Sequence, residues 1–198
     1  MGTAKGLAYL HEDCLDWILH CDVKPQNILL DSNYQPKVVG FGLSKLQNIS
    51  VFNNSNFSKI RGTWGYLAPE WVFNLPITSK VDVYSYGIVL LEIMTGKGPS
   101  RSVHNIDYEW ETEPKRLVTW VREKKNRAIT KTSLLEEMID PLLEGKYDMG
   151  MMKTLVEVAL QCVEEDKDAR TTMNQVVEML LRLLRQQMIL SECIVWYN

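Results

Sequence analysis

His20-Cys21-Asp22-Val23-Lys24-Pro25-Gln26-Asn27 gathers an imidazole, a thiol, a carboxylate, an ammonium and a carboxamide directly before the apolar run Ile28-Leu29-Leu30. That run, the turn-like Asp31-Ser32-Asn33-Tyr34-Gln35-Pro36 and then Lys37-Val38-Val39 read as two short strands around a loop. On the N-terminal side Leu7, Leu10 and His11 recur at helical spacing and predict the end of a helix over 4–11. On the C-terminal side, residues 40–68 are rich in Ser, Asn and Gly and hold no sustained period, so they read as a long loop of the kind that usually carries function.

Beyond that loop the pattern turns helical. Residues 81–94 are apolar nearly all the way round (Val81, Val83, Tyr84, Ile88, Val89, Leu90, Leu91, Ile93), which predicts a helix buried on most faces and serving as the spine of the domain. Residues 117–125 form a shorter amphipathic segment, and Leu155, Val158, Ala159 and Cys162 mark another helix. Met173, Val176, Val177, Leu180, Leu181 and Leu184 define a last one, opened by the capping box Thr172-x-x-Gln175. One helix, a small β element, a long loop and a helical bundle make the expected class mainly α.

Composition narrows the function classes. The 198 residues are 45% hydrophobic and 24% charged, and 25 acidic side chains against 22 basic ones leave a net charge of −3. This is a globular composition, neither disordered nor repetitive, and it lacks the basic excess of a nucleic-acid binder. The apolar stretch 87–94 is cut by Glu92, so no membrane span is expected, and the first residues lack the apolar core of a signal peptide. Cys14, Cys21, Cys162 and Cys193 form no C-x-x-C pair, which predicts free thiols in a reducing, cytoplasmic setting and no metal-binding cysteine site. The sequons at Asn48, Asn53 and Asn56 read as polar loop sequence.

His20-Cys21-Asp22-Val23-Lys24-Pro25-Gln26-Asn27, then Gly40-Phe41-Gly42, then Ala68-Pro69-Glu70 resemble, in order and interval, the catalytic loop, magnesium loop and closing motif of eukaryotic protein kinases, H-R-D-x-K-x-x-N, D-F-G and A-P-E. The wording of residues 2–12, 62–71 and 82–87, with Gly62-Thr63-Trp64-Gly65-Tyr66-Leu67 among them, resembles plant receptor-like serine/threonine kinases of the S-domain (G-type lectin) type. The resemblance implies the large, mainly helical C-terminal lobe of a kinase over 1–187, a tail over 188–198, and a missing small lobe, since neither a glycine-rich loop nor the strand lysine is found.

The resemblance also assigns roles. Asp22 would accept the proton of a protein hydroxyl, Lys24 would reach the transferring phosphate and favour Ser/Thr substrates, and Asn27 would ligate Mg²⁺ beside ATP. His20 is expected to be a packed, hydrogen-bonded residue. Glu70 and Arg170 would form a buried ion pair. Asp82 reads either as part of a capping box with Ser79 or, by resemblance, as a carboxylate under the catalytic loop. Ser50, Ser55, Ser58 and Thr63 are candidate phosphate acceptors.

Three departures from the resembled pattern matter: the absent small lobe, which leaves ATP one wall instead of a cleft, and the residues at positions 40 and 21. Gly40 stands where the resemblance places the magnesium carboxylate, and metal neutralisation is worth several kcal/mol, so a loss of roughly 10³-fold or more is expected. Cys21 replaces the arginine of H-R-D, which removes the charge that an activation-loop phosphate would neutralise. Three readings follow: a Ser/Thr kinase acting on protein substrates; a pseudokinase that binds a substrate or partner kinase; or a truncated product. As part of a full-length receptor the chain would lie on the cytosolic face of the plasma membrane, the family being membrane-anchored.

Overall fold

The computed structural model describes residues 1–46, 62–99, 116–128, 133–143 and 147–196. Its centre is helix α3 (Lys80–Thr95), numbered after α1 (Gly2–Ala8) and α2 (Pro69–Val72). As the all-round apolar pattern predicted, Val81, Val83, Tyr86, Ile88, Val89, Leu91 and Met94 of α3 are all buried. Helix α4 (Leu117–Ala128), the short α5 (Ser133–Glu136) and α6 (Met149–Cys162) gather beside it. Helices α3 and α6 approach tightly at Gly87, where a Cβ would lie 2.6 Å from the Cβ of Cys162 and 3.0 Å from the carbonyl oxygen of Ala159. Any side chain there would push two core helices apart.

Local capping fixes the starts of the last two helices. Asp148 caps α6 by accepting from the Met151 amide at 2.7 Å. At α7 (Met173–Trp196) the expected capping box forms: the Thr172 amide donates to Gln175 Oε1 at 2.8 Å, and the Gln175 amide donates to Thr172 Oγ1 at 3.3 Å. Helix α7 runs without interruption to Trp196. Helix α1 packs against α7 and passes into a single wide π turn, Tyr9–Asp13, so the helical segment ends in a bend rather than a straight turn at residue 11.

Among the described residues the β content is two antiparallel pairs. Strands β2 (Ile28–Leu30) and β3 (Pro36–Val38) form the expected hairpin, with Ile28 opposite Val38. Strands β1 (Ile18–Leu19) and β4 (Lys45–Leu46) also pair, an element invisible in the sequence because two residues carry no readable period. The segment expected as loop from residue 40 therefore begins with a 3₁₀ turn, Phe41–Leu43, and β4. Leu29, Leu30, Tyr34 and Phe41 leave apolar surface exposed around the hairpin, while Val38 and Val39 are half-buried.

Candidate functional site

The loop from His20 to Asn27 is held from beneath by Asp82, near the start of α3. Ser79 makes no side-chain cap, and the Asp82 carboxylate is used elsewhere. Its Oδ2 accepts from the His20 amide at 2.7 Å and from His11 Nε2 at 2.9 Å, and its Oδ1 accepts from the Cys21 amide at 2.8 Å. Aiming two successive amides at one carboxylate puts Cys21 in the left-handed region, φ +68°. Such strain costs about 1–3 kcal/mol in a non-glycine residue. Charge-assisted hydrogen bonds in a dry setting offset it.

His20 is fully buried. Its Nε2 donates to the Val39 carbonyl at 2.8 Å, which leaves Nδ1 to accept from the Asp22 amide at 3.2 Å. Its ring meets the Phe41 ring edge-on at 5.0 Å, and the Val39 amide donates to the Asn27 carbonyl at 2.9 Å. These contacts tie the segment after β3 to the loop and bring Gly40 beside Asn27.

Four side chains then converge. Asp22 Oδ1 accepts from the Thr63 hydroxyl at 2.7 Å, and Lys24 Nζ lies 2.8 Å from both Thr63 Oγ1 and Asp22 Oδ2. Asn27 Nδ2 donates to the Asp22 carbonyl at 2.8 Å and to Asp22 Oδ2 at 2.9 Å. Partial burial pushes the Asp22 carboxyl up, but hydrogen bonds from Lys24 and Thr63, the Lys24 charge and the Asn27 amide outweigh it and hold the group below the ordinary carboxylate range. Asp22 is thus ionised at neutral pH, with a hydroxyl already against it and an ammonium beside that hydroxyl. Such a trio can orient an alcohol, receive its proton and face an anionic group.

The donor set does not suit Mg²⁺. That ion wants an octahedral shell of oxygens, normally including one or two carboxylates. Gly40 offers no side chain, and the nearby neutral oxygen is Asn27 Oδ1. Asp31 is committed to its own turn, accepting from the Asn33 and Gln35 amides at 2.9 Å each and pairing with Lys37 at 3.5 Å. Among the described residues no group of three His, Cys, Asp or Glu side chains could hold a metal ion.

The far side of the site is anchored by Glu70 and Arg170. The guanidinium meets the carboxylate at 2.7 and 3.0 Å, donates to the Glu164 and Lys80 carbonyls at 2.8 Å each, and lies over the Tyr84 ring. Lys80 Nζ donates back to the Arg170 carbonyl. The Thr63 segment is pinned to α3 by Ser85, whose hydroxyl donates to the Tyr66 carbonyl at 2.7 Å, and by Tyr66, whose hydroxyl donates to Glu92 at 2.5 Å. His11, Ser85 and Glu92 do not stand out along the chain as site residues. Glu92 shows there only as a charge interrupting an apolar run, and that misplaced charge is the available signal.

Thr63 turns its hydroxyl into the cluster. Ser50, Ser55, Ser58 and the three sequons lie outside the described residues. No helix among the described residues is long and apolar enough to cross a membrane.

The family description "Protein kinase domain" matches residues 1–181. The receptor protein kinase ZmPK1 of Zea mays is 46% identical over 181 residues, covering 91% of this chain and 22% of that protein. A G-type lectin S-receptor-like serine/threonine-protein kinase of Arabidopsis thaliana is 46% identical over 180 residues, covering 91% of this chain and 20% of its own length. Another from the same plant, SD2-2, is 43% identical over 188 residues, covering 91% and 22%. The chain therefore spans about a fifth of the length of the curated relatives it matches.

Proposed function

The chain belongs to the protein kinase family, and we propose that it carries the acceptor side of a receptor-like serine/threonine kinase centre while its phosphate-donor side is impaired. The observation that carries this is the Thr63 hydroxyl held between Asp22 and Lys24, at 2.7 and 2.8 Å. A Ser or Thr hydroxyl of a protein substrate presented to the same carboxylate would be oriented by Asp22, which takes the proton as the oxygen attacks, while Lys24 faces the charge gathering on the transferred group. ATP is the donor that family membership implies. The metal that accompanies it in the family has a poor donor set here, so transfer by this chain is expected to be weak.

A second reading draws on Gly40. With the metal-side carboxylate replaced, the same acceptor face acts as a binding module for a protein substrate or partner kinase. In the full-length setting of its relatives the domain would sit at the cytosolic face of a plasma membrane. The test is phosphate transfer from labelled ATP to a generic Ser/Thr substrate by the chain and by Asp22→Asn. Little or no transfer by either, with retained binding of a substrate protein, supports the impaired reading; robust transfer that vanishes in Asp22→Asn overturns it.

A further inference from the structure

We infer that Gly40 and Asn27 are a coupled pair that closes the 20–27 loop with protein groups alone, in place of a divalent cation. Gly40 has φ +85°, and an ideal Cβ built on it would lie 2.6 Å from both Cγ and Oδ1 of Asn27 and 2.8 Å from its Nδ2. The Asn27 carboxamide therefore fills the space that a side chain at position 40 needs. From that place it reaches the Asp22 carbonyl and carboxylate together, at 2.8 and 2.9 Å.

The electrostatics agree with the geometry. Asp22 Oδ1 is engaged by the Thr63 hydroxyl, and Oδ2 by both the Lys24 ammonium and the Asn27 amide. The carboxylate thus has its charge met by Lys24 and accepts three donors within the protein, two of them on Oδ2. A cation entering here would find the neutral Asn27 Oδ1 and a carboxylate whose charge the Lys24 ammonium already compensates. Mg²⁺, which sheds its water reluctantly, gains little from such a site.

The coupling also works in the other direction. Restoring a carboxylate at position 40 forces the Asn27 carboxamide away and breaks its two bonds to Asp22, so that substitution alone disorders the loop it is meant to repair. The inference rests on the acceptor-side reading only for the role of Asp22, and its test reads stability and metal binding rather than phosphate transfer.

The experiment is a thermal melt of the full chain in EDTA, in millimolar MgCl₂ and in millimolar MnCl₂, repeated for Gly40→Asp, Asn27→Ala and the double variant. The expected result is a wild-type midpoint that neither cation moves, a lowered midpoint for Gly40→Asp, and a smaller lowering by the same change in the Asn27→Ala background, where the carboxamide is gone. If Gly40→Asp fails to fold, Gly40→Ala takes its place in the same cycle. A wild-type midpoint that rises with Mg²⁺ or Mn²⁺, or an equal penalty for the position-40 change in both backgrounds, overturns the inference.

Discussion

Arg170 and Glu70, separated by 100 positions in the chain, meet as a two-pronged ion pair that is nearly inaccessible to water, at 1% and 4% exposure. The pair joins the short α2, which ends the long loop, to the turn before α7. Either partner alone would be a buried, uncompensated charge. Arg170→Ala or Glu70→Ala is therefore expected to cost about 3–5 kcal/mol, the double replacement less than the sum. Chemical denaturation of the three variants measures it, and additive losses would show that the two groups do not act as a pair.

Position 87 tests the core in the opposite sense. A methyl group there meets Cys162, Val163 and the Ala159 carbonyl at 2.6–3.0 Å, so Gly87→Ala is expected to destabilise by about 1–3 kcal/mol despite the better helix propensity of alanine. A melting temperature at or above that of the parent would contradict the close approach of α3 and α6.

Acid should act partly through Asp22. Its carboxyl binds a proton more weakly folded than unfolded, so its contribution to stability is complete above the ordinary carboxylate value of about 4 and is lost as the pH falls through the lower folded value. Asp22→Asn should flatten that part of a stability profile measured between neutral pH and acid. An unchanged acid limb in the variant would remove Asp22 from the account.

The thiols divide by burial. Desolvation pushes the Cys162 thiol up to about 12 and the Cys21 thiol higher still, with the neighbouring Asp82 charge adding to the latter, whereas Cys14 is partly exposed. Alkylation of the native protein at mildly alkaline pH, read by peptide mass, should label Cys14 readily and spare Cys21 and Cys162 until denaturant is added. Rapid native labelling of Cys21 would mean that the loop opens far more often than its hydrogen bonds to Asp82 imply.

Much of the protein is legible along the chain. The α3 spine, the hairpin around Asp31 and the α7 capping box are local patterns, each set by residues within a few positions of one another. The order of three short motifs announces the family and singles out Asp22, Lys24, Asn27 and Glu70, with Arg170 beyond them. Other features are hidden because their partners are distant. Ser79-x-x-Asp82 has the spacing of a cap, yet Asp82 serves backbone amides 61 and 62 positions away. The β1–β4 pair, the clamp of Tyr66 on Glu92 and the use of His11 leave no local pattern either.

Family, mainly helical class and the glycine at position 40 all follow from residue order, because each is a matter of which residue stands where along the chain. The surroundings of that glycine are decided only by folding. It brings Gly40 against Asn27 and turns Thr63 toward Asp22, contacts between residues 13 and 41 positions apart. Hydrogen bonds and charges act over a few ångströms of space regardless of chain separation, and a string of residues does not contain those distances.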